Sequence, residues 1–324
     1  MYSGVENVRK GISEAIHENL IGQLRTTIGN ALQEKARVAI LVDNLDKAWT
    51  KRADISQLAG FLLGLLTVGR QLQNDFRRSS SRRRPVNVSL AIFLRSDIFS
   101  RLSAEAREPD KLVFTRLLWE DEEVLKRVVE ERFVASHGSL YKGTDLWERY
   151  FCATVRQTRA KEYIVNSILP RPRDLVYFVK AAVSTAVNRR HAKVFEDDIF
   201  ESERQYSQYA MESIRVENGI SLPELEAVLT EFAGSKPVLT EQEVDTFIRG
   251  ARIPEEKIEE VKEHLVNLTF IGIETSHGQY KFPDDPREYR RDIALSNKLR
   301  DETGVPRRFK INPAFYSYLG ISRA

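Results

Sequence analysis

Val38-Ala39-Ile40-Leu41-Val42-Asp43-Asn44-Leu45-Asp46-Lys47-Ala48-Trp49 is the stretch whose reading decides the fold. Val38–Val42 is wholly apolar, and Val38, Ile40 and Val42 are β-branched. A short apolar run bounded by polar residues predicts a strand buried on both faces of a parallel sheet. Asp43, Asn44 and Asp46 follow directly, at the carboxyl end of that strand. Open α/β sheets bind ligands at that end of their strands. The plainer alternative is a buried strand followed by an acidic turn.

A second apolar run, Val86–Leu94, ends in Arg95, Ser96 and Asp97. Two such strands side by side would bring their charged ends to one edge. An arginine there can neutralise a phosphate, and the acids can hold a metal. An ion pair tying two loops together is the alternative. Between the strands, Leu58, Phe61, Leu62, Leu65, Leu66 and Leu72 predict the buried face of a helix over about 56–76. Ahead of the first strand, Val5, Val8, Ile12, Ile16, Leu20, Leu24, Ile28 and Leu32 predict one or two amphipathic helices, with Gly22 and Gly29 as weak points. Leu112–Leu117 is expected to add a short strand at a sheet edge.

From Glu120 the pattern turns helical. Glu120–Glu123 put acid at a helix start, where the dipole favours it. Val124, Leu125, Val128, Val129 and Phe133 form that helix's expected buried face. Helices are predicted over 173–190 and 196–217, with a loop at 139–146. Leu169-Pro170-Arg171-Pro172-Arg173-Asp174-Leu175 lies between two of them. Pro172 suits the first helical position, which needs no N–H, and Arg173 then falls in the first turn. Alone, this is a helix start with two surface arginines.

The last third predicts helices at 221–233, 240–251 and 255–268. A hairpin follows, Ile271–Thr275 with Gln279–Phe282. Three helices and a hairpin give the layout of a winged helix. Residues 309–315 are expected to add an edge strand and a final turn.

Composition bounds what these parts can do. The chain has 324 residues, 42% hydrophobic and 30% charged, with a net charge of +3. That charge is too small to imply a polyanion partner by itself. Cys152 is the only cysteine, which rules out an intrachain disulfide and fits a reducing cytoplasm. The longest apolar run, near Leu58–Val68, is too short to span a bilayer, and no secretory signal pattern follows Met1. Arg77–Arg84 sets five arginines around three serines and reads as a solvated loop, with contact to nucleic acid or an acidic partner as the alternative.

Taken in order, DNLDKAW, FLRSDIF and RPRDL, followed by a winged helix, resemble the P-loop ATPases of the AAA+ and STAND group. Prokaryotic members pair a D-x-L-D-x-x-W strand end with R-S-D and P-R-D-L. The resemblance implies a partial α/β ATPase core over 1–119, an all-α lid over 120–217 and a winged-helix domain over 218–324. It implies ATP and Mg²⁺ as cofactors. Asp43 matches the Walker B acid on the metal, and Asn44 stands where relatives carry the water-activating acid. Asp46 is the candidate substitute for that role, with slow hydrolysis as the alternative, and a second candidate metal ligand. Arg95, with Ser96 beside it, resembles the sensor of the γ-phosphate. Arg173, or else Arg171, resembles the lid arginine that meets bound nucleotide.

The chain departs from the family in one large respect. No G-x-x-x-x-G-K-[ST] occurs in it, and only 37 residues precede the Val38 strand. That loop supplies the phosphate cradle. The expectation is a fragment or shortened reading frame, with weak nucleotide affinity in this chain and an exposed sheet edge. The function implied is part of an ATP-dependent switch coupling nucleotide state to partner binding or assembly, in prokaryotic stress or phage defence by analogy. The alternatives are a non-catalytic interaction module and a winged-helix regulator that binds nucleic acid. Glu255, Glu256, Glu259, Glu260 and Glu263 crowd the third helix against Lys257 and Lys262. Acid there disfavours DNA and favours a protein partner or self-association. His277 and Lys281 are the only cations of the wing. Arg287, Arg290 and Arg291 offer a separate basic patch.

Overall fold

The computed structural model describes residues 20–32, 34–35, 37–45, 55–77, 85–95, 98–99, 102–103, 106, 114–115, 117, 119, 121–138, 145–218, 224–283 and 286–323. The chain divides into two compact units, residues 1–113 and 114–324.

The first unit holds α1 (Ile21–Leu32), β1 (Arg37–Val42), α2 (Ile55–Arg77) and β2 (Asn87–Ile92). The strands pair parallel and in register, from Arg37 opposite Asn87 to Val42 opposite Ile92. Parallel strands need a crossover, and α2 supplies it. Gly69 of α2 has no side chain to keep Leu90 of β2 away, so helix and strand pack closely. Phe76, Val86 and Val88 gather Leu32, Val38 and Leu72 into one small apolar cluster. Ala59, Leu62, Ile98 and Leu102 gather Leu45 and Leu94 into another.

Both predicted strands and the helix between them are present, but β1 is not buried on both faces. Ile40 is 42% exposed and Leu41 is 68% exposed. Neighbouring strand residues point to opposite faces, so neither face is covered there. A strand is enclosed on both sides only when further layers flank it, and among the described residues this sheet has two strands. Phe61 also departs from its expected burial, at 63% exposed. Leu20, just ahead of α1, and Leu24 and Ile28 on it stand exposed on what reads as the apolar face. The edge strand expected at 112–117 does not form at Phe114, Thr115 or Leu117, the residues described there.

The second unit opens with α3 (Glu122–His137), capped by Asp121, whose carboxylate accepts the Glu123 N–H at 2.9 Å. Val124 of α3 is exposed rather than buried, while Leu125 and Val129 face the core. Next come α4 (Leu146–Tyr150), a small hairpin of β3 (Thr154–Val155) and β4 (Thr158–Arg159), and α5 (Ala160–Val165). The hairpin interrupts a stretch that reads as helical throughout. Then follow α6 (Pro172–Asn188), with Pro172 in its first turn, and α7 (Glu196–Asn218).

Beyond them lie α8 (Leu225–Glu231), β5 (Val238–Thr240), α9 (Glu241–Gly250) and a 3-10 turn (Glu255–Lys257) leading into α10 (Ile258–Asn267). The hairpin of β6 (Ile271–Ser276) and β7 (Gln279–Lys281), α11 (Pro286–Thr303) and β8 (Arg308–Ile311) follow. Pro313–Phe315 and α12 (Tyr316–Leu319) come last. The four strands form an antiparallel sheet in the order β5-β8-β6-β7. The tail strand expected at an edge is therefore interior. One apolar core runs from Leu125 to Ile321.

Gly272 marks the tightest point of this sheet. A Cβ there would lie 2.8 Å from the Lys281 carbonyl and 2.8 Å from the Phe282 ring. The carbonyl is backbone and cannot swing aside. Gly272→Ala is expected to cost about 1–3 kcal/mol by overpacking. Urea denaturation measures it, and a loss below about 0.5 kcal/mol would show that the hairpin yields easily.

Candidate functional site

The parallel register of β1 and β2 decides where the charges fall. Phe93 N–H donates to the Val42 carbonyl at 2.9 Å, carrying the pairing one residue past the end of β2. Asp43 and Arg95 thus leave the sheet at the same edge, and both are exposed. Asp43 Oδ1 accepts the Asn44 N–H at 2.7 Å. Asn44 has φ of 63°, a left-handed conformation that asparagine tolerates better than most residues. The bend turns Leu45 towards the cluster of Ala59 and Leu62 and leaves Asp43 outside. The Arg95 carbonyl accepts the Phe99 N–H at 2.9 Å. Asp46, Ser96 and Asp97 lie outside the described residues.

Mg²⁺ on a nucleotide commonly takes one or two carboxylates and completes its shell with phosphate and water. An outward Asp43 with an arginine at the same edge fits that demand. Among the described residues no group of three or more His, Cys, Asp or Glu side chains could enclose a metal.

Arg171 and Arg173 belong to the second unit. Arg171 is extended, at φ −132° and ψ 136°, and occupies the cap position of α6. Arg173 is exposed, with Nε 3.6 Å from the Asp174 carboxylate. Asp174 is buried and accepts the Tyr206 hydroxyl at 3.0 Å. The same hydroxyl accepts the Leu169 N–H at 2.8 Å. Burial, reinforced by the Asp174 charge, pushes the Tyr206 phenol well above its ordinary pKa. The turn bearing both arginines is thus pinned from below to α7. Sequence reading finds the arginines and misses Tyr206, which lies 32 residues from Asp174 and carries no local signal.

The acidic helix resolves into two faces. Ile258, Val261, Leu265 and Leu268 are buried, as their spacing predicts. Glu255, Glu256, Glu259 and Glu260 are exposed. Lys262 is turned inward, with Nζ 3.0 Å from Glu241, 2.9 Å from Asp245 and 2.9 Å from Glu259. Arg307 donates to Glu241 as well, through Nε at 3.0 Å. Desolvation opposes the Lys262 charge, yet the three carboxylates push its pKa up to about 12. At the β6–β7 hairpin, the buried Glu274 holds Arg308 by two bonds of 2.6 and 2.7 Å and accepts the Gly278 N–H at 2.8 Å. Arg290 and Arg291 are exposed on α11, and Arg291 pairs with the buried Asp292 at 3.2 Å. Of the arginine loop, Arg77 alone is described. Cys152 is half-buried, and burial raises its thiol pKa, which does not favour a reactive thiolate.

Comparison with known proteins adds three findings. Residues 123–215 match the family model described as the FunZ-associated C-terminal helical domain. A protein of Escherichia coli (strain K12), the 80.3 kDa protein of transposon gamma-delta, is 22% identical over 99% of this chain. The chain spans about half of that relative's length, 46%. The ORC2 protein of Aeropyrum pernix, in its ADP form, superposes with a TM-score of 0.38 at 14% identity, over 87% of this chain and 70% of that one. No helix among the described residues is long and apolar enough to cross a membrane.

Proposed function

We propose that this chain is part of an ATP-dependent molecular switch of the AAA+ and STAND kind. The observation that carries the proposal is the in-register parallel pairing of β1 and β2, which brings Asp43 and Arg95 to one edge. In this reading Asp43 and, from the sequence, Asp46 hold Mg²⁺ on the nucleotide, and Arg95 meets the terminal phosphate. Arg173, on the turn fixed by Asp174 and Tyr206, reports nucleotide state to the helical unit. The metal and phosphates supply charge neutralisation when bound, and the chain's own part is to position them.

Binding of a fluorescent ATP analogue with Mg²⁺ to the full chain tests the site. Weak but saturable binding is expected, and Asp43→Ala and Arg95→Ala should each weaken it by about tenfold, the scale of one charge-assisted contact. No steady-state hydrolysis is expected, because the phosphate-cradling loop is absent from the sequence. Turnover that disappears in Asp43→Ala would reveal a substitute loop. Affinity unchanged in both variants would favour the other reading, a non-catalytic interaction module.

For the last third we propose a winged helix that docks protein rather than DNA. Its support is the order α8, β5, α9, α10, β6–β7, with β8 joining the sheet. The inward Lys262 strengthens the case against DNA, since its charge is already shared among three carboxylates. Lys257 is exposed in the turn that leads into α10, where it stands among four exposed glutamates, Glu255 and Glu256 on the turn and Glu259 and Glu260 on the helix. Counterion release, the main source of DNA affinity, needs cations facing outward. No electrophoretic mobility shift with duplex DNA is expected at low salt, where electrostatic binding is strongest. A shift lost on removing residues after 218, but kept when Arg77, Arg78, Arg82, Arg83 and Arg84 are neutralised, would refute this.

A further inference from the structure

We propose that residues 316–323 form a releasable strap, which holds the four-stranded sheet part of the second unit closed on α7. Pro313–Phe315 and α12 pack directly on that helix. Ser207 and Ala210 of α7 are fully buried and small, so the strap backbone comes close. Ser207 Oγ accepts the Tyr318 N–H at 2.9 Å. Arg215, two turns along the same helix, donates to the Tyr318 hydroxyl at 3.2 Å. On its other side the strap belongs to the sheet part, where the Leu319 carbonyl accepts the Gly234 N–H at 2.7 Å.

The lock at the end of the strap is polar. Gly320 takes φ of 67°, which lets the chain reverse so that Ile321 N–H donates to the Tyr316 carbonyl at 2.9 Å. Arg323 then reaches the helices. Its Nε donates to Glu203 at 3.0 Å and its Nη2 to Ser167 Oγ at 2.7 Å. Its guanidinium lies 4.7 Å from the centre of the Tyr163 ring, whose hydroxyl donates to Glu203 at 2.6 Å. Arg323 and Glu203 keep a little contact with solvent, 17% and 9% of their side chains. An apolar joint opens only by exposing its core. A polar lock near water can exchange its bonds for hydration, so it is the part of this joint that can let go first. With it free, the α7 surface around Ser207 is what the strap would uncover.

Native-state amide exchange on the full chain tests this without any nucleotide. In Arg323→Ala the Tyr318 and Ile321 amides should exchange at least about tenfold faster, the loss expected for a charge-assisted contact. The Ile273 amide in β6 and the Phe178 amide in α6 should keep their rates. Gly320→Val, which strains the reversal and leaves the arginine in place, should give the same local pattern, and Arg323→Lys should restore part of the protection. Unchanged strap amides in both Arg323→Ala and Gly320→Val would overturn the proposal. Equal acceleration at all four amides would also overturn it, because the strap would then open only with the whole unit.

Discussion

Lys262→Ala is expected to destabilise the second unit by about 3–5 kcal/mol, the range for breaking a buried charge pair from one side. Lys262 is 2% exposed and its ammonium meets Glu241, Asp245 and Glu259, each within 3.0 Å. Removing it leaves carboxylates that repel each other. Arg307 can still neutralise Glu241, so the remaining cost falls mostly on Asp245. Glu259 is largely solvated, and Glu259→Gln should cost less than about 1 kcal/mol. Lys262 has a folded pKa raised to about 12 from an ordinary 10.5. Its contribution is therefore complete below about pH 10.5 and is lost as pH rises through about 12. Urea denaturation at pH 7 and again at pH 11–12 should show the gap between wild type and Lys262→Ala narrowing. A gap that stays constant would assign the cost to lost packing instead of charge.

Lys262 also shows where the sequence stops being informative. Read along the chain, it is one of two lysines opposing five glutamates on a charged helix. Nothing local says that it points inward, because its acids at 241 and 245 come from α9. The same limit hides Tyr206 beneath Asp174, and it hides the interior place of β8, since strand order is not written in any one strand. Val238–Thr240 is too short to show a period, and α11 is too charged to read as packed, although Tyr289, Asp292 and Ser296 are buried on it. What is legible is local and strongly patterned. The β1 and β2 runs, the helix start at Pro172, the hairpin turning at Gly278 and the apolar stripe of α10 all follow from spacing and residue type. At the candidate site, the sequence shows that both strands end in charge. It cannot show that the sheet leaves Ile40 and Leu41 uncovered, because burial depends on layers that flank the strand.

The second large effect is expected at Asp198, where loss of one carboxylate removes three contacts. Asp198 is fully buried in the first turn of α7. It accepts Arg189 Nη1 at 3.0 Å, His191 Nδ1 at 2.8 Å and the Phe195 N–H at 3.0 Å. The Ile199 N–H donates to the Phe195 carbonyl at 3.2 Å, so Phe195 occupies the cap of α7 and Asp198 supplies the returning half of a capping box. The same carboxylate ties the end of α6 to the start of α7 and sits at the positive end of the helix dipole. Burial pushes its pKa up, but the bonds from His191, Phe195 and Arg189 outweigh burial and hold it below the usual 3.8. Asp198→Ala should therefore cost about 3 kcal/mol at pH 7, with the Phe195 N–H left unpaired as part of the loss. Asp198→Asn should keep some of the hydrogen bonds and lose less. A depressed carboxylate stabilises above its unfolded pKa and stops doing so as pH falls through its folded one. Urea denaturation of wild type and Asp198→Ala at pH 7, 5 and 3 should show a gap that holds down to about pH 4 and shrinks below it. A gap of the same size at pH 3 would mean that the ionised carboxylate is not what joins these two helices.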